Sequence, residues 1–340
     1  MFVNRPQKYI IAVKRPNKFK YFSDYNIFLL LLSAENMNLE EKMSLSILIP
    51  TYNYVCVQLV SDLHQQAAMS GISFEIIVAD DGSDDSATIA ANRAIDNIPF
   101  CRYDVRSENV GRARIRNYLA EQAQYVRLLF IDSDMVVLTT DFLSRYIKCS
   151  ESVVDGGVSI GGSAKALGGN LRFRYEKSAQ PRYTARCRQQ NPYRDLHTAN
   201  LMVSRDVMLK HPFDSRFTTY GYEDVLFGKS LEQAGVDILH ISNPLSFEVF
   251  EENSVFLAKS EEALATLYTF RDELRGYSAV LNLAESRVVA VLSPLLRLWH
   301  RVFGAAERRH LCGRRPLLTV FQLYKLGYYL QLSHKQQLKP

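Results

Sequence analysis

Long hydrophobic runs are missing from this sequence. The longest uninterrupted apolar stretch near the N-terminus, Ile27–Leu32, falls far short of the ~20 residues needed to cross a bilayer, and no small-residue cleavage site follows it, so it is not read as a signal peptide. Cysteine is scarce. Cys56, Cys101, Cys149, Cys187 and Cys312 are odd in number and lack CxxC spacing, which argues against a disulfide framework and a zinc-thiolate site and fits a reducing cytoplasm. No GxxxxGK[ST], no GxGxxG opening a helix after a strand and no GxSxG occurs, so P-loop, dinucleotide-binding and nucleophile-elbow chemistries are set aside. His64, His197, His211 and His240 show no HExxH or paired spacing. His240 follows an apolar run and reads as a satisfied strand-end histidine rather than a metal ligand. Acid is almost absent from one region: residues 287–340 hold ten Lys or Arg against Glu307 alone.

What is present is ordinary globular composition, 47% hydrophobic and 23% charged, enough for a sizeable core. Residues 1–43 show little periodicity and are expected to be an N-terminal extension or a misassigned start. From Leu45 onward, short apolar runs alternate with amphipathic stretches, the pattern of βαβ units. Strands are expected at Leu45–Ile49, Phe74–Ala79, Phe100–Asp104 and Val126–Ile131, with helices at about Val55–Met69, Ser86–Ile95 and Gly111–Gln122. The expected fold is α/β, an open, mostly parallel sheet with helices on both faces over residues 44–275, followed by a basic, amphipathic helical tail over 276–340. Residues 156–194, rich in Gly and then Arg, are expected to be partly a mobile loop. Further elements are expected at Ala199–Ser204 and Val236–Ile241, with a long helix over Asn253–Leu274.

In an open α/β sheet, ligands bind beyond the carboxyl ends of the strands. Those ends are polar here: Pro50-Thr51-Tyr52-Asn53, Asp80-Asp81-Gly82-Ser83 and Asp132-Ser133-Asp134. Two carboxylates spaced like Asp132 and Asp134 can grip a hard divalent cation that bridges phosphate oxygens. A solvated turn would look the same in isolation, but the position after a central strand favours the metal. Asp81 can accept from a nucleobase N–H, although Asp-Gly is equally a turn dipeptide. Thr51, Tyr52 and Asn53 are placed to pack on a base, while Pro50 could simply end the strand. Of the arginines after Gly111, Arg112 is selected as an anion-binding group at a helix start. Glu223-Asp224 also opens a helix, where acids complement the dipole; a general base for an acceptor hydroxyl would have the same appearance.

Leu45–Asn53, Ile77–Ser83 and Phe130–Asp134, taken as an ordered set, resemble the family 2 glycosyltransferases of GT-A fold. Pro212–Leu231 is similar to the C-terminal part of galactosyltransferase-like and chondroitin-polymerase-like members. The resemblance implies an inverting, metal-dependent hexosyltransferase that uses a UDP-sugar with Mn²⁺ or Mg²⁺ and builds a bacterial surface polysaccharide or glycolipid on a glycan or lipid-linked acceptor. It assigns Asp224 as base, Glu223 to the acceptor, Asp81 to uracil, Asp134 to the metal and Asp132 to the ribose or metal. Phe247 stands where many relatives place a metal-binding histidine. A nucleotidyltransferase and a degenerate, non-catalytic nucleotide- or glycan-binding relative are the rival readings. The tail, with Leu292, Leu295, Leu296, Trp299, Val302 and Phe303 among arginines, is expected either to lie on anionic lipid at the inner face of the plasma membrane or to pack on the catalytic domain. No nucleic-acid partner is expected.

Overall fold

The computed structural model describes residues 44–337, and the expected extension over 1–43 lies outside them. The described residues form one compact unit. Its main sheet has the order β3-β2-β1-β4-β8-β6-β9, with β1 at Ser44–Thr51, β2 at Ser73–Asp80, β3 at Cys101–Val105, β4 at Arg127–Ile131, β6 at Val153–Asp155, β8 at Asn200–Ser204 and β9 at Leu239–His240. β1 to β4 are parallel, and β8 runs antiparallel between β4 and β6. A small sheet of β5 (Met135–Val136), β10 (Leu245–Phe247) and β7 (Val158–Ile160) lies beside it. The architecture is the expected open, mostly parallel α/β sheet with a helical C-terminal region.

The central strands are apolar on both faces because helices cover both. Leu48, Ile77 and Phe130 point into one core cluster, while Ile47, Ile49, Ile76, Val78, Leu129 and Ile131 fill the other. The period of two along each strand assigns neighbours to opposite faces. Register aligns the strand ends, pairing Thr51 with Asp80 and Leu48 with Phe130. The polar residues that follow β1, β2 and β4 therefore open on one side of the sheet.

Three expectations need correction. Residues 156–194, expected to be partly loop, are more ordered than their sequence signals: they contain β7 and the helices Ala164–Leu167, Leu171–Ala179 and Ala185–Arg188. A fully buried carboxylate just ahead of the segment ties its far end back to β6. Asp155 faces Arg188 Nη1 at 3.0 Å and accepts from the backbone N–H groups of Gly157 at 2.6 Å and His197 at 2.9 Å. The expected strand over Val236–Ile241 shrinks to Leu239–His240, and the helix from Asn253 breaks after Thr269. At that break Phe270 stacks on Phe217 with centroids 4.0 Å apart.

His240 is saturated in the same network. Its Nδ1 lies 2.7 Å from Arg188 Nη1 and its Nε2 3.0 Å from the Pro192 carbonyl. Asp155, although buried, is held well below the usual carboxylate range: burial alone would raise it, but His197, His240 and Arg188 outweigh that. Asp155→Ala strands the Arg188 charge in the interior and should cost about 3–5 kcal/mol of unfolding free energy. Urea denaturation checks this, and a loss below about 1 kcal/mol would mean that Arg188 finds another partner.

Candidate active site

Two cavities lie over the open side of the sheet. The first, of about 400 Å³, is lined by Pro50, Thr51, Tyr52, Asp81, Arg112, Arg116, Asp132 and Asp134, with Arg172, Tyr220 and Glu251 closing it. The second, of about 440 Å³, is lined by Glu223, Asp224, Tyr175, Tyr222, Tyr277, Phe321 and Lys325. Arg112 and Tyr220 belong to both. The Arg112 guanidinium sits 4.9 Å from the centroid of the Tyr220 ring, a cation–π pair at the junction.

The structure brings together most of the expected donor-site residues, but not Asn53. Its side chain is spent on the next loop: Nδ2 donates to Asp84 at 2.6 Å, and Oδ1 accepts from the Asp84 and Asp85 N–H groups at 3.1 Å each. Asn53 thus fixes the β1 exit against the β2 exit instead of facing the cavity. Asp81 does line it, yet its two oxygens already accept from the N–H groups of Val110 and Gly111, both at 2.9 Å. Asp81 thereby positions the entry to the helix Arg112–Gln122 as well as offering remaining lone pairs to a ligand. Gly82 has φ +73°, and a Cβ there would meet the Glu108 carbonyl carbon at 2.4 Å, so no other residue fits this turn.

The residue that sequence reasoning missed is Arg116. It is 1% exposed, donates from Nη2 to Asp132 Oδ1 at 2.5 Å, and approaches Glu223 with Nη1 at 3.9 Å. Arg112 adds a longer contact to Asp132 Oδ2, at 4.0 Å. Positions 112 and 116 share a helix face, whereas Arg114 turns away to donate to the Ser215 carbonyl at 2.9 Å. The i,i+4 spacing of two arginines beneath a carboxylate-bearing strand end was the available signal.

The paired acids are driven apart electrostatically. Burial alone would raise Asp132, but Arg116 and Arg112 outweigh it and hold its carboxyl below the ordinary range. Burial, then the charge of Asp132, raises Asp134. Asp224 is pushed up to about 6 by burial, then by neighbouring Glu223. The chain reaches Glu223 and Asp224 through Gly221, at a φ of +100° that glycine adopts freely, and Tyr222, strained into the left-handed region at φ +70°, a conformation that for a non-glycine residue concentrates at functional sites.

Phe247 does not face the cavity mouth. It is buried in β10 beneath Arg172, whose guanidinium lies 4.2 Å from the ring centroid. Glu251, paired with Arg172 at 2.5 Å and Lys259 at 3.2 Å, lines the cavity instead. Among the described residues, no group of three or more His, Cys, Asp or Glu side chains is placed to hold a metal ion. The donor set nevertheless suits a cation that arrives with a diphosphate. Asp134 is free of ion pairs among the described residues, and Asp132 Oδ2 has only the long Arg112 contact, leaving hard oxygen ligands to be completed by phosphate and water.

Residues 46–211 match the model of glycosyl transferase family 2. The chain carries a family 2 glycosyltransferase domain. Among solved structures, the mannosyltransferase PcManGT from Pyrobaculum calidifontis, in complex with GDP-Man and Mn²⁺, matches with a TM-score of 0.52 and 12% identity over 87% of each chain. S. aureus TarS 1–349 matches with a TM-score of 0.43 and 16% identity, covering 86% of this chain and 92% of that one. Its complex with UDP-GlcNAc gives a TM-score of 0.47 and 15% identity at the same coverage. At this identity the Pyrobaculum likeness is one of fold. No curated protein matches the chain.

Arg116→Met takes the near cation from buried Glu223 and half-buried Asp132, which keeps only the long Arg112 contact, and this glycosyltransferase domain should lose about 3 kcal/mol of stability at pH 7. Without Arg116, the burial that works to raise the Asp132 carboxyl is opposed chiefly by Arg112, so its folded-state pKa rises, protonation relieves it, and the deficit should shrink as pH falls from 7 to 5. Urea denaturation at both pH values tests this; a deficit independent of pH would show that Arg116 acts through packing.

Proposed function

We propose that this glycosyltransferase moves a hexosyl unit from a UDP-sugar, with inversion, to a hydroxyl of a glycan or glycolipid in surface polysaccharide synthesis. The observation that carries the reading is the meeting of two cavities at Arg112 and Tyr220, one holding the Asp132/Asp134 pair and the other a desolvated Asp224. A donor diphosphate suits the first cavity, where Arg112 and the cation supply positive charge. Mn²⁺ or Mg²⁺ would be held by Asp134 and Asp132 and would neutralise charge on the departing nucleotide diphosphate. Pro50, Thr51, Tyr52 and Asp81 are the proposed base-binding wall.

The second cavity suits an acceptor. Its Tyr175, Tyr222, Tyr277 and Phe321 rings offer flat apolar faces on which a sugar can stack, and Glu223 and Asp224 offer hydrogen-bond acceptors. In its ionised form, Asp224 takes the proton of the attacking hydroxyl as that oxygen forms its bond to the anomeric carbon and the bond to the diphosphate breaks. A base with a pKa near neutrality is suited to this transfer. Because the Pyrobaculum structure holds GDP-Man, the assay should span UDP- and GDP-sugars; nucleotide release supports transfer, whereas binding without release supports the degenerate reading.

Asp224→Asn should lower kcat by about 100-fold or more while donor affinity stays within about twofold, since the base touches only the acceptor. In the wild type, Asp224 is protonated below its raised pKa, so kcat should rise with pH through about 6 and level off above it. A parallel fall in donor affinity, or a flat profile, would reassign the residue. Asp134→Ala should abolish metal-dependent turnover without lowering the melting temperature, because the carboxylate makes no ion pair among the described residues; unchanged turnover would remove it from the diphosphate site.

A further inference from the structure

The helix Arg287–Leu311 carries a surface that glycosyl transfer does not use. Its buried side, with Val289, His300, Gly304, Glu307 and Leu311, packs on the helix Leu318–Gln337. At Gly327 the approach is so close that a Cβ would meet the His300 Cβ at 2.7 Å. The opposite side is apolar and open: Val291 is 79% exposed, Leu295 66%, Val302 60% and Trp299 45%. At 100° per residue these positions, with Val288 and Leu298, fall in one continuous stripe along the helix. The 25-residue helix is about 37 Å long. It is the one helix among the described residues long and apolar enough to cross a membrane by length and composition.

Charge selects the partner for this stripe. Arg287 and Arg301 flank it and Arg309 lies at its C-terminal end; all three are exposed, and among the described residues none meets a carboxylate within ion-pair distance. Glu307, the one acid between residue 287 and the C-terminus, is withdrawn from the surface: it is 7% exposed and accepts from Trp299 Nε1 at 2.8 Å, with His300 Nδ1 at 3.2 Å. The outer face therefore combines apolar area with uncompensated positive charge, as an anionic lipid surface requires. Spanning is disfavoured because the other side of the helix is fixed to protein and carries the buried His300–Glu307 pair.

We propose that the helix Arg287–Leu311 lies in the plane of an anionic bilayer, with its apolar stripe among the acyl chains and its flanking arginines at the lipid phosphates. This docking is independent of which donor or acceptor the domain uses. The test is flotation of the full chain with phosphatidylcholine vesicles with and without phosphatidylglycerol, together with Val291→Glu/Leu295→Glu/Val302→Glu and Arg287→Gln/Arg301→Gln/Arg309→Gln variants. The wild type should float with the anionic vesicles and be released by carbonate at high pH. The glutamate variant should stay at the bottom. The glutamine variant should bind roughly 100-fold more weakly, at about fivefold per arginine. Melting temperatures of both variants should match the wild type, because the altered side chains are already in water.

Equal flotation of the glutamate variant would overturn the proposal, as would wild-type protein that ignores anionic vesicles or resists carbonate extraction. A marked fall in the glutamate variant's melting temperature would also overturn it, by showing that the stripe is covered by the chain's own residues. A wild-type dimer that the glutamate variant loses, with no vesicle binding, would assign the stripe to a second copy instead.

Discussion

A buried guanidinium organises this molecule. Arginine does not lose its proton in a protein, so placing Arg116 in the interior requires carboxylates around it, and the chain supplies Asp132 from the end of β4 and Glu223 from the start of the helix Glu223–Gln233. These two acids come from distant parts of the chain, and the shared cation joins them beside the ring packing of Phe130, Phe213 and Phe227. The two cavities meet where Arg116 ties the two elements together. Breaking the arrangement from either side leaves an uncompensated charge out of water, which is more costly than never forming it.

The same cation divides labour within each acidic pair. Asp132 takes the strong contact and stays ionised, whereas Asp134, beside it and without an ion pair among the described residues, is raised by burial and by its neighbour. Glu223 faces Arg116, and Asp224, one residue on, is pushed up to about 6 by burial and by Glu223. Two acidic pairs that look symmetrical in sequence are thus unequal in chemistry: one member of each faces Arg116, and the pKa of the other is raised. Environments that push paired pKa values apart are the usual way in which one fold assigns different roles to like groups.

Much of the sheet was legible because strands buried on both faces must be apolar throughout, and the segments beginning at Leu45, Phe74 and Val126 are. The acidic strand ends were legible because ligands in an open α/β sheet bind beyond the carboxyl ends of its strands, where these residues fall. What could not be read locally depended on distant partners. Residues 156–194 lack periodicity because Arg188 answers to Asp155 and His240, not to its sequence neighbours. Asn53 looked like a ligand-facing residue until Asp84 and Asp85 engaged its amide. Phe247 looked like a vacant ligand position, whereas Arg172 covers it and Glu251 occupies the cavity wall.

The tail ties the site to the proposed lipid surface through rigid packing. Phe321 and Lys325, which line the proposed acceptor cavity, lie on the same helix as Gly327, against which His300 of the stripe-bearing helix is packed. Lys325 is held between the rings of Tyr175 and Phe321, with its ammonium 4.7 and 4.6 Å from their centroids, and burial lowers its pKa to about 8. The cavity wall and the apolar stripe are therefore two sides of one helical hairpin. Close contact at Gly327 leaves that hairpin little freedom to slide, so any surface that seats the stripe also fixes the height and tilt of the proposed acceptor cavity above it. An acceptor anchored in the same surface would then meet Asp224 at a set reach, and selection by reach would act alongside selection by contact.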